Sequence, residues 1–141
     1  MKKTFSKIFV ACVALSTATA WCQVAVVVGA KSTANALSPE QAAALFLGKT
    51  DQLPGVGVAL LLDQPEANPV RDLFYSKVAG KSGSQVKAAW SRLIFSGKAT
   101  PPKEIPNSVD VKKMVANNQN AIGYIEKSAV DATVKVLYSV D

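Results

Sequence analysis

Two uninterrupted apolar runs constrain this chain more than anything else in it: QVAVVVGA, from Gln23 to Ala30, and VGVALLLD, from Val56 to Asp63. A strand with one wet face alternates apolar and polar residues, whereas a run without that alternation must be covered on both faces. A sheet between layers of helices provides that cover, so the predicted class is α/β: a single domain with a mostly parallel sheet flanked by helices. Between the runs lies SPEQAAALFLGK, a helix with Ser38 as cap, Pro39 at its first position, Gln41 completing a capping box and Gly48 at its end. Two strands flanking a helix predict a right-handed βαβ unit with parallel strands. Its geometry would set AKST, after the first strand, and DQPEAN, after the second, at one edge of the sheet, where open α/β folds hold ligands.

Beyond the second run, Asn68 and Pro69 open a helix with Val70, Leu73, Phe74 and Val78 at helical spacing. SQVKAAWSRLIFSG is a further helix, with Ser84 as cap and Val86, Ala89, Trp90, Leu93 and Ile94 on one apolar face; the same register places Trp90 and Phe95 in the core. KATPPKEIPN reads as a connecting loop. SVDVKKMVANNQ is a helix with Val111, Met114 and Val115 inward, and NAIGYIEK is a strand. ATVKVLYSV alternates as a strand, with Val134, Val136 and Tyr138 on one side and Thr133, Lys135 and Leu137 on the other.

The first twenty residues stand apart. MKKTFSK is a positive segment, IFVACVALSTATA is apolar and short, and Ala18-Thr19-Ala20 fits a cleavage pattern before Trp21. The chain therefore reads as a signal peptide over 1–20 and one α/β domain over 21–141, exported to the periplasm, with no transmembrane segment in the mature part. Loss of Lys2, Lys3 and Lys7 lowers the net charge from +6 to +3. The remaining excess forms no basic run and has no interleaved aromatics, which argues against nucleic-acid binding. Cys22 is the one mature thiol, so no internal disulfide is expected.

Chemistry is sparsely provided. The chain has no His, which removes the base of a Ser-His or Cys-His arrangement and the usual metal ligand. Gly48-Lys49-Thr50, Gly80-Lys81-Ser82 and Gly97-Lys98 each follow a helix, so they read as helix ends rather than as phosphate loops, which precede one. Asp63, Glu66 and Asp72 could pair as carboxylates, yet acids near a helix start ordinarily complement its dipole. The expectation is a protein that is not an enzyme and carries no cofactor and no metal.

A strand running into a capped helix is a place to hold an anion. Arg71 and the amides after Asn68, including that of Val70, are the candidate contacts, with Lys31, Ser32 and Thr33 contributed from the neighbouring loop. The competing expectation pairs Arg71 with Glu66 or Asp72 at the surface.

LSPEQAAALFLGK, VALLLDQ, VRDLFY, AAWSRLIFSGK and NAIGYIE, in this order, resemble the phosphate-type substrate-binding proteins of ABC transporters, and in particular small exported relatives with part of the two-lobed fold. The resemblance implies one lobe of a type 2 periplasmic-binding fold and a small oxyanion, such as phosphate, as ligand. It implies an ABC transporter as partner. In that alignment Asp63 and Gln64 fall where the family carries an Arg, and Asn68, Pro69 and Val70 fall where it carries a Ser-Gly-Thr turn. Gln64 has no charge and Pro69 has no amide donor. The alternative function is a single-lobe, non-catalytic interaction module that binds a membrane sensor or a transporter protein.

Overall fold

The computed structural model describes residues 23–140. The expected signal peptide over 1–20 and Cys22 fall outside the described residues. Strands β1 (Val24–Gly29), β4 (Leu60–Asp63), β5 (Lys103–Glu104), β6 (Ala121–Glu126) and β7 (Val134–Val140) form one sheet in the order β5-β4-β6-β1-β7. A two-stranded hairpin, β2 (Gln52–Leu53) and β3 (Gly57–Val58), stands beside it. Helices α1 (Pro39–Phe46), α2 (Pro69–Phe74), α3 (Gly83–Phe95) and α4 (Ser108–Asn117) supply the cover, and α2 continues into a wider turn at Tyr75–Ala79.

Strand β4 is parallel to β5 and β6, while β1 is antiparallel to both β6 and β7. Four strands thus run one way and β1 alone is reversed, so the sheet is mostly parallel as expected. The reversal overturns the predicted βαβ unit. Strand β6 inserts between β1 and β4, and the crossover rule governs parallel strands only. The loop after β1 and the loop after β4 therefore lie at opposite edges. The second apolar run is also divided, because β3 belongs to the hairpin and Val58 is exposed.

Both faces of β1 are buried, as its unbroken run demands. Val24, Val26 and Val28 join Ile122, Tyr124 and the residues of α1, α2 and α3 in one core. Ala25 and Val27 join Leu62, Ile125 and the inward residues Val111 and Val115 of α4 in the other. Helix α4 lies so close that a Cβ on Gly29 would sit 2.3 Å from the Val115 carbonyl oxygen. The predicted capping box of α1 is present, with Ser38 accepting from the Gln41 amide and Gln41 from that of Ser38.

Four further expectations need correction, the first being that the predicted loop KATPPKEIPN contains β5, which pairs in parallel with the end of β4. The cap of α3 is Ser82, not Ser84, because Ser82 and Gln85 have the capping-box spacing. Trp90 is core, donating from Nε1 to the Phe46 carbonyl at 2.8 Å, but Phe95 is 96% exposed and Ile94 45% exposed. The last turn of the helix still packs on the core through Leu93, while Ile94 and Phe95 lie on the side turned away from the body of the domain. In β7 a bulge at Leu137 breaks the predicted alternation: Val26 pairs with Tyr138 and Val27 with Val136. Val134 then packs with α4, whereas Leu137 and Tyr138 both pack on the opposite core.

Candidate functional site

The carboxyl edge of β4 and β6 gathers most of the buried polar residues. Strand β4 ends in Asp63 and Gln64, α2 starts beyond them, and α4 brings Ser108 against Glu126 at the end of β6. A carboxylate at the end of an apolar run is costly to bury unless donors surround it. Asp63 has them: the Tyr75 hydroxyl donates to Oδ2 at 2.8 Å, the Gln64 amide to Oδ1 at 2.8 Å, and the Tyr124 hydroxyl also to Oδ1. The Arg71 Nε lies 3.6 Å from the same oxygen, and its guanidinium carbon stands 5.1 Å from the centre of the Tyr75 ring. Burial first, and then the negative charge of Asp63, push both phenols well above the ordinary tyrosine range. Both tyrosines are thereby held as hydroxyl donors.

The aromatic bodies of these tyrosines fix the cluster. Phe74 stacks on Tyr124 at 4.1 Å between centroids and meets Phe46 edge-on at 4.8 Å. The site is therefore built on two strands and a helix rather than on a loop.

A second set of bonds consumes the groups that would face a ligand. Asn68 accepts from the Val70 amide at 3.3 Å and donates to Gln64 Oε1 at 2.7 Å. The Gln64 amide group donates to the Tyr124 carbonyl at 2.9 Å and to Ser108 Oγ at 3.2 Å, and Ser108 donates to Glu126 at 2.6 Å. Arg71 is 7% exposed, and its Nη1 is the one buried side-chain polar atom among the described residues without a hydrogen-bond partner.

Gln64, Asn68, Val70 and Arg71 are thus brought together, and Lys31, Ser32 and Thr33 are not. These three lie at the far edge because β1 is reversed. Ser32 there donates to the Gln119 carbonyl and Thr33 to that of Gly55, while Lys31 is exposed. The expected surface pairing of Arg71 is also absent: Arg71 pairs with buried Asp63, and Glu66 faces Lys87 at 3.9 Å. Sequence reasoning missed Tyr75, Tyr124, Ser108 and Glu126. Their signal was Asp63 itself, since a carboxylate closing a buried strand requires donors nearby.

The fold can be set beside solved structures. One, described as a phosphate ABC transporter substrate-binding protein with bound phosphate from Clostridium perfringens, superposes with a TM-score of 0.64 at 20% identity over 81% of this chain. The chain has the fold of a lobe of such a substrate-binding protein. An ABC-type phosphate transport receptor from Vibrio cholerae superposes with a TM-score of 0.63, again at 20% identity over 81% of this chain. The chain covers 43% and 44% of those proteins, less than half of either. No protein-family model matches the sequence, and comparison with curated proteins finds no similar one. Among the described residues no helix is long and apolar enough to cross a membrane, and no group of three or more acidic, His or Cys side chains could hold a metal.

Proposed function

We propose that the protein is an exported solute-binding protein of the phosphate ABC transporter type, and that it takes a small oxyanion at the carboxyl edge of β4 and β6. The observation that carries this reading is Arg71, a guanidinium nine-tenths buried beside the end of β4 with Nη1 left over. A buried donor without an acceptor costs about 1–3 kcal/mol, which an anion or its bound water would recover. Glu126 and Asp63 add acceptors nearby, so a protonated oxyanion suits the edge better than a fully ionised one. Calorimetry with phosphate and sulfate tests it. A saturable heat in the wild type that is lost in Arg71→Ala is the expected result, and a silent wild type removes the reading. Export is tested by the mass of the secreted chain, which should begin near Trp21.

A second reading has its own support. Asp63 already supplies a carboxylate to Arg71 and the two tyrosines, so the cradle holds an internal anion. A lobe in that state, less than half the length of the phosphate proteins it superposes on, serves as an interaction module for a membrane sensor or a transporter protein. Under that reading the calorimetric titration is silent, and the folded protein is recovered with a protein partner.

A further inference from the structure

The three Gly-Lys pairs do end helical segments, with φ of 74° at Gly48, 62° at Gly80 and 70° at Gly97. Their lysines, however, converge on one face of the domain. A groove of about 490 Å³ opens between the turn after α1 and the end of α3, lined by Lys49 and Lys98 over a floor that includes Trp90 and Leu61. A second hollow of about 330 Å³ runs on from Lys49 along α3, where Lys81 and Arg92 line it. Four cations therefore face the two hollows, and Asp51 is the one acid that lines them. All four cations are exposed, and none forms an ion pair among the described residues. Apolar groups accompany them: Val58 is exposed on the groove wall, beside Leu60, Leu61 and Trp90.

We infer that this groove docks an acidic, partly apolar segment of a protein partner. Charge complementarity supplies the sign: four uncompensated cations against one acid attract an acidic chain and steer its approach. Exposed Val58 on the wall and the floor that includes Trp90 and Leu61 supply the apolar contribution, through the apolar area a bound segment would bury. The concave form distinguishes a chain segment from a lipid surface, which meets a flat or bulging face. The groove borders Leu60 and Leu61 at the start of β4, away from Asp63 and Arg71 at its end. The inference accordingly does not rest on oxyanion binding: a silent phosphate titration with a bound peptide would remove that reading and leave this one.

The test uses a fluorescein-labelled octapeptide of alternating Glu and Leu, titrated with the purified protein and followed by anisotropy. The expected result is saturable binding that weakens about tenfold or more as salt rises from about 0.05 to 0.5 M. The double reversal Lys49→Glu with Lys98→Glu should weaken it at least as much, with the fold verified by circular dichroism. The reversal Lys112→Glu with Lys113→Glu, which changes net charge equally on α4, should leave affinity within about twofold. The inference is overturned if the peptide does not bind, if both reversals weaken it alike, or if inorganic phosphate displaces it at equimolar concentration. It is overturned equally if phosphatidylglycerol vesicles bind through Lys49 and Lys98 while the peptide does not.

Discussion

The two ends of β4 handle charge in opposite ways. At the carboxyl end, Asp63, Arg71, Tyr75 and Tyr124 are buried together, with both phenols and the guanidinium set against the Asp63 carboxylate. At the amino end, Lys49, Lys81, Arg92 and Lys98 stand in solvent around an apolar floor with no ion pair among the described residues. Burial forces compensation, because a lone interior charge costs several kcal/mol, whereas an exposed cation stays hydrated at little cost. The first end is therefore tied to folding, while the second is free to be used for recognition.

The sharpest way to break that contrast is Asp63→Ala. It strands the Arg71 charge and two phenols in the interior and should cost about 3–5 kcal/mol, read from the midpoint of urea unfolding. At the groove, the largest stability effect should come from the frame rather than from the cations. Gly48→Ala meets φ of 74° and places a Cβ 2.5 Å from Leu93 Cδ1, for a loss of about 2 kcal/mol by the same unfolding curve.

Alkaline titration sharpens the comparison by pH. The raised phenol values of Tyr75 and Tyr124 mean that their contribution is complete below the ordinary tyrosine pKa of 10.0 and is lost as pH rises beyond it. Phenolate absorbance from these two residues should appear only together with unfolding. Early ionisation in the native state would show that the cluster is open. The Lys49→Glu, Lys98→Glu double variant should change unfolding free energy by no more than about 0.5 kcal/mol, since exposed charges without partners hold nothing in place.

The smallest effect belongs to a third region, where exposed Asp131 bonds to Lys112 and Thr133. These bonds lower its carboxyl from 3.8 to about 2. Its contribution is in place above the ordinary value and fades as pH falls toward 2. A carbon-detected NMR titration should give that midpoint, and Lys112→Ala should raise it.

What the residues revealed in advance followed from local physics. The run Val24–Gly29 had to be sandwiched, and the caps Ser38 and Asn68 marked where α1 and α2 begin. Strand direction was not local: Val24–Gly29 reads alike whichever way its neighbours run, so the reversal of β1 and the removal of Lys31, Ser32 and Thr33 from the site could not be read from it. Gln64, Asn68, Val70 and Arg71 lie close together in the turn and first helical residues after β4, which their spacing in the sequence already implied. Their internal pairing depended on Tyr124 and Ser108, which are distant in sequence and brought close only by the sheet. Phe95 misled for the opposite reason, because helical register does not reveal where the packed body ends.

The single reversed strand has a practical consequence. Val24 pairs with both Glu126 and Val140, so the described chain enters and leaves the sheet side by side at the Asp63 end. A sensor chip, resin or fluorescent protein joined directly before Gln23 or directly after Val140 would crowd that end and leave the Lys49 groove pointing into solution. Attachment chemistry therefore decides which of the two surfaces an experiment interrogates.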